Sequence, residues 1–130
     1  VLHDQKVLLV KRKNPPAQGQ WAIPGGRVQL GETLQKAAER EIAEETGILI
    51  QAKEPIYIFD QIVHDESGEV TFHYVIVDLA AEYAGGTLTP ADDAMDAAWL
   101  EARQLQSRHL NQNTLKLLTR IDFYQCSLVT

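Results

Sequence analysis

Apolar positions along the chain fall into short extended runs separated by two stretches of helical spacing. Gln5 to Arg12 reads QKVLLVKR, an apolar run with basic ends that predicts a strand. Asn14-Pro15-Pro16 ends it, because proline lacks an N–H and pushes its predecessor out of the helical region. Trp21 to Ile23 predicts a short extended piece, and Pro24-Gly25-Gly26 a turn. Leu34 to Thr46 predicts a helix, with Thr33 as N-cap and Gly47 at the left-handed C-terminal position. Ile48 to Gln51 and Pro55 to Val63 read as extended, Asp65-Glu66-Ser67-Gly68 as a turn, and Val70 to Ala80 as a strand, which suggests an antiparallel hairpin. Ala84 to Asp93 predicts a loop, Asp96 to Leu100 a short strand, and Glu101 to Ser107 a short helix. Asn113 to Tyr124 predicts an amphipathic helix, with Leu117, Leu118 and Ile121 at helical spacing. Strands with interspersed helices imply an α/β fold, a mixed sheet covered on both faces.

The helix from Leu34 breaks its own pattern. With Leu34 as the zero direction and about 100° per residue, Leu34, Ala38 and Ile42 share a sector of about 80°, with Ala37 beside it. That face is expected to be buried. Glu41 and Glu45 fall on nearly the same line, and Glu44 sits at their flank. Like charges at i,i+3 and i,i+4 each destabilise a helix by a few tenths of a kcal/mol. Glu44 and Glu45 also occupy the last turn, where the helix dipole disfavours anions by roughly 0.3–1 kcal/mol. A divalent cation would relieve these conflicts, and oxygen-only ligands favour magnesium or manganese over zinc. The blander reading is a Glu-rich surface helix in which Arg40 and Glu44 form an ordinary i,i+4 pair.

Composition narrows the classes. At 130 residues the chain is read as one domain, 1–130, with ordinary proportions of hydrophobic and charged residues. A formal net charge of −6 argues against binding a nucleic-acid backbone, yet a metal can still bring phosphate to an acidic site. The single cysteine, Cys126, excludes an intrachain disulfide and reads as a small buried or incidental residue. No signal peptide and no membrane-length apolar run is found, so a cytoplasmic location and no membrane partner are expected. The chain begins Val1-Leu2 without Met, so native N-terminal residues can be missing.

From Gly26 to Ile48 the chain reads GRVQLGETLQKAAEREIAEETGI. This resembles the Nudix box: G, five residues, E, seven residues, then R-E-U-x-E-E-x-G-U with U aliphatic. Gly26, Glu32, Arg40, Glu41, Ile42, Glu44, Glu45, Gly47 and Ile48 fall in register without a gap, and GQWAIPG looks like the family's approach to the box. The resemblance implies an α/β/α sandwich that hydrolyses a nucleoside diphosphate linked to another group. Carried over by position, Glu41, Glu44 and Glu45 hold Mg2+, with Mn2+ as substitute, helped by the backbone carbonyl of Gly25. Arg40 orients the cluster and Glu32 supports the loop–helix geometry. The general base is Glu41 or a carboxylate outside the box. Homodimers are frequent among such proteins, so a homodimer is an expected partner beside the small-molecule nucleotide.

Other candidates carry two readings. Asp92 and Asp93 are an outer ligand or base, or turn-forming aspartates in a solvated loop. Lys11 and Arg12 are phosphate contacts or solvated strand ends. Tyr57, Phe59, Phe72 and Tyr74 are a base-stacking platform or cross-strand packing. Trp21 reads as structural, and His64 and His73 receive no role. HYVIVDLAAEY with the following Gly-Gly loop looks like ADP-ribose pyrophosphatase-like members, although His64 stands where that subset carries proline. Alternatives are a (d)NTP pyrophosphohydrolase that removes damaged nucleotides, a non-catalytic nucleotide sensor, and a scaffold domain.

Overall fold

The structure, a computed structural model, describes residues 1–15 and 17–123. Pro16, Tyr124 and Cys126 lie outside the described residues. Chain order is β1 (Leu2–His3), β2 (Lys6–Arg12), β3 (Trp21–Ala22), α1 (Leu34–Thr46), β4 (Ile48–His64), β5 (Val70–Gly86), β6 (Ala94–Glu101), a 3-10 turn (Ala102–Ser107) and α2 (Gln112–Arg120). β2 is the hub of the sheet. It pairs antiparallel with β6 along one edge and with β1 and β3 on the other, while β1 joins β5 in parallel and β5 pairs antiparallel with β4. The sheet is therefore mixed, as expected.

Burial on both faces explains the unbroken apolar run of β2. Val7 and Leu9 point into a core with Trp21, Leu100, Leu105 and Leu118 of α2. Leu8 points the other way, to Ile42 of α1 and Ile48 and Ile50 of β4. One helix on each face makes the α/β/α sandwich. Trp21 is buried, consistent with a structural role.

α1 has the expected ends. The Thr33 side chain accepts from the Lys36 N–H, and Gly47 sits at φ 75°. One expectation fails: Leu34 is 40% exposed, because apolar cover of α1 begins only with Ala37 and the main cluster receives Ile42. Several boundaries also move. The two extended segments after α1 are one 17-residue strand, with irregular register between Ala52 and Tyr57. β5 runs on to Gly86, inside the expected loop, because Gly86 pairs with Ile48 and lies against the Gly47 carbonyl, where a side chain would overlap. Asp4 and Gln5, at φ 52° and 63°, turn β1 back onto β2. That pair lacks the Asn-Gly signal of such turns, which is why the hairpin was not foreseen. The last helix ends at Arg120, followed by Asp122 at φ 60°.

Candidate active site

Arg40 organises the first half of the site. Its Nε and Nη2 donate to both oxygens of Glu32, at 2.7 and 3.0 Å, in a bidentate pair. Nη1 donates to Glu41 at 2.7 Å and Glu44 at 3.3 Å, and Nη2 also reaches the Arg27 carbonyl at 2.8 Å. Glu32 accepts the Gln29 N–H as well, at 2.9 Å. The Arg40 bond and then the Gln29 N–H hold the Glu32 carboxyl at about 2. The i,i+4 contact with Glu44 exists, but as the longest arm of a network that straps the box loop to the helix.

The second half is Glu45, buried at 6% exposure in the last turn of α1. Burial, then the charge of Glu41, pushes its carboxyl up to about 7. The Gly25 N–H and Arg12 pull the other way, and Asp93 adds to the repulsion. Gly26 has no side chain for a reason. A Cβ there would overlap the Glu41 carboxyl, so any other residue would turn that side chain out of its present place beside Arg40.

The last carbonyls of α1 bring in the remaining residues. The Thr89 N–H donates to the Thr46 carbonyl at 2.7 Å, and the Ala91 N–H to the Glu45 carbonyl at 2.9 Å. The loop after β5 thus caps the helix and delivers Asp93 to the Glu45 side. Asp93 accepts from Arg12 at 2.8 Å and from Asn14 at 2.6 Å. The Arg12 Nε is buried and has no hydrogen-bond partner among the described residues. Asp93 and Arg12 are therefore tied into the site, whereas Asp92 is exposed at φ 53°, a turn residue. His73 pairs with Asp60 at 2.9 Å.

As the side chains stand, no three carboxylate, imidazole or thiol groups among the described residues converge on a common point. Glu41 and Glu44 are turned to Arg40 while Glu45 points inward. The donor set nevertheless suits a hard cation. All its donors are oxygens, and Glu45 is buried beside the charge of Glu41 and Asp93.

Two features escaped the sequence reading. Arg27 reaches Tyr74 on β5, with Nη2 2.9 Å from the hydroxyl and the guanidinium 5.6 Å from the ring centre. Beside the approach to the box lies a small cleft of about 120 Å³, lined by Val7, Ile23, Ile56, Leu117, Ile121 and the Asp78 carboxyl, which burial raises to about 6. A lone carboxylate inside the apolar run of β5 was the available signal.

The NUDIX domain family matches residues 1–121, nearly the whole chain, across the loop, α1 and capping segment just described. The chain belongs to the NUDIX domain family. It is 39% identical over 102 residues to the ADP-ribose pyrophosphatase of Methanocaldococcus jannaschii, covering 78% of this chain and 58% of that protein, so it spans little more than half of that relative. The crystal structure of a MutT NUDIX hydrolase from Burkholderia pseudomallei superposes with a TM-score of 0.77 at 27% identity, covering 93% and 92% of the two chains. The NUDIX domain of Shewanella oneidensis NrtR, in a cocrystal with ADP ribose, gives 0.71 at 26% identity, covering 92% and 79%. These NUDIX structures share the α/β sandwich. No helix among the described residues is long and apolar enough to cross a membrane.

Proposed function

We propose that this NUDIX domain hydrolyses the diphosphate bond of a nucleoside diphosphate derivative, with ADP-ribose as the leading substrate. The observation that carries the reading is a carboxylate, Glu45, buried at the C-terminal end of α1 beside the charge of Glu41. Such an arrangement costs stability in the absence of a cation and gains its use with one. Glu41, Glu44 and Glu45 would hold Mg2+, or Mn2+ in its place, with the Gly25 backbone at the rim. When bound, the ion neutralises phosphate oxygens and acidifies water.

The chain's own residues do the rest. Arg40 holds Glu41 and Glu44 on one side of the helix, and its bidentate grip on Glu32 keeps the Gly-rich loop close. Arg12 places a cation between Asp93 and the Glu45 side of the site, which favours an anionic phosphate nearby. Asp93 joins Glu41 as a candidate to take the proton from the attacking water, because the capping loop brings it to the Glu45 side. The small apolar cleft beside the box approach would take the edge of a base, with the Asp78 carboxylate receiving its N–H. The relative that is an ADP-ribose pyrophosphatase and the neighbour seen with ADP ribose support the substrate choice.

The test is a panel of ADP-ribose, nucleotide sugars, dinucleoside polyphosphates and dNTPs with Mg2+. ADP-ribose should yield AMP and ribose 5-phosphate. Release of pyrophosphate from dNTPs alone would overturn the substrate assignment in favour of a nucleoside triphosphate pyrophosphohydrolase. Tight binding without turnover of any member would favour a sensor.

A further inference from the structure

Between β3 and the Gly-rich turn the backbone runs Ile23-Pro24-Gly25-Gly26. The ladder of β3 ends at Ala22, opposite Val10, so this segment has left the sheet. Proline has no N–H, which leaves Ile23 and Gly25 as the amide donors ahead of Gly26. The Gly25 N–H faces the Glu45 carboxyl. Gly26 lies so near α1 that a Cβ on it would overlap the Glu41 carboxyl. The turn thus touches both carboxylates, and whatever fixes the turn fixes their surroundings.

The Ile23 N–H goes to a side chain. It donates to the Thr114 hydroxyl at 3.1 Å, across 91 positions of sequence. Thr114 sits in the first turn of α2 and is 4% exposed. The other buried threonine among the described residues, Thr46, serves its own helix by donating to the Ile42 carbonyl at 2.6 Å. Thr114 serves a distant segment instead, and its place is set from two sides. The Asn111 side chain caps α2, accepting from the Asn113 and Thr114 N–H groups at 3.0 and 3.3 Å. The preceding backbone is laced to β3, with the Trp21 N–H donating to the His109 carbonyl at 2.8 Å and the Asn111 N–H to the Trp21 carbonyl at 2.9 Å. Those backbone bonds stop at Trp21, and the Thr114 hydroxyl carries the hold on to Ile23. Gly25 is two residues further, at most roughly 7 Å along an extended chain. Pro24 fixes φ between them, so a rotation at Ile23 is passed on to Gly25 rather than absorbed.

We propose that Thr114 is a positioning residue for the carboxylate site: its hydroxyl holds the Ile23 amide, and through the stiff Pro24 link that hold keeps the Gly25–Gly26 turn against Glu45 and Glu41. Resting on the hydrolytic reading of those glutamates, this gives α2 a part in the reaction. A threonine kept for packing alone could be valine, which has the same shape. Valine would leave the Ile23 N–H without its acceptor, and such a donor turns toward another partner or water. The turn then shifts, and small displacements around reacting groups cost rate.

Thr114→Val and Thr114→Ser separate the hydroxyl from the shape, with two readouts. In metal-free protein, amide hydrogen exchange followed by NMR should quicken at Ile23 and Gly25 by at least about fivefold in Thr114→Val, and return toward the parent rate in Thr114→Ser. The amide of Leu9, buried on β2, should not change. With ADP-ribose and Mg2+, Thr114→Val should lose at least about tenfold in kcat with KM within about threefold, and serine should recover most of the loss. Thr119→Val removes an exposed hydroxyl that bonds only to the Leu115 carbonyl of its own helix, and should leave kcat within about twofold. If valine unfolds the chain, Thr114→Ala set against Thr114→Ser makes the same comparison. Unchanged Gly25 exchange in Thr114→Val, or a variant that melts earlier but turns over like the parent, overturns the proposal. A parent that cleaves no ADP-ribose counts against the substrate reading instead, and the exchange comparison still decides the role of Thr114.

Discussion

The loop-and-first-turn end of α1 and its C-terminal end treat their carboxylates in opposite ways. Glu32, at the first end, has a bidentate cation and a backbone N–H, and its carboxyl is held down at about 2. Glu45, at the second, is buried beside Glu41 and is pushed up to about 7. Yet the two ends are joined through one residue, Arg40, which grips Glu32 and the Arg27 carbonyl while also holding Glu41. The satisfied end is built to stay still, and it holds in place an end that is electrostatically incomplete. Structure and chemistry are thus divided along a single helix.

The largest effect should come from completing the unsatisfied end. Glu45→Gln removes the buried charge while keeping shape, so hydrolysis should fall by about 10³-fold or more. In metal-free protein at pH 8 the same variant should be more stable than the parent by about 1–3 kcal/mol in urea unfolding. The sign follows from linkage. Between the unfolded value near 4.5 and the folded value of about 7, the folded state keeps a proton that the unfolded chain has lost. Metal-free protein should therefore lose stability as pH rises through that window, and the slope should flatten in Glu45→Gln.

Breaking the satisfied end comes next. Arg40→Ala leaves Glu32, Glu41 and Glu44 facing one another and should lower the thermal midpoint, with activity lost as well. Arg40→Lys should recover little, because an ammonium cannot reproduce the bidentate grip. Glu32 itself runs opposite to Glu45: its contribution is present above its ordinary value and disappears as pH falls toward about 2.

Gly26→Ala probes the seam between the two ends. The added Cβ overlaps the Glu41 carboxyl, which must swing away, so activity should drop at least tenfold with a stability loss of about 1 kcal/mol. Smallest of all, Leu34→Gln should change stability by less than about 0.5 kcal/mol, since that side chain is exposed.

What could be read from the sequence followed distance along the chain. Thr33, Gly47 and the apolar spacing of α1 are local, and the helix forms as its own residues dictate. The conflict among Glu41, Glu44 and Glu45 was legible because helical geometry alone places them together. Leu34 misled because periodicity gives the direction of a face but not where its cover ends. Asp93 read as a solvated loop residue because its partner Arg12 lies on the first long strand, and only the capping of α1 by Thr89 and Ala91 brings them to Glu45. The Asp78 cleft is likewise a product of packing between distant elements.

The most direct test of the central claim is the thermal midpoint of the protein as Mg2+ is added at pH 8, for the parent, Glu44→Gln and Glu45→Gln. Selective binding to the folded state stabilises by RT ln(1 + [L]/Kd). The parent midpoint should climb with Mg2+ and keep climbing logarithmically beyond saturation, while both variants, once verified as folded without metal, should respond little. A parent protein indifferent to Mg2+ and Mn2+, or variants that climb as the parent does, would contradict a metal site built from these glutamates.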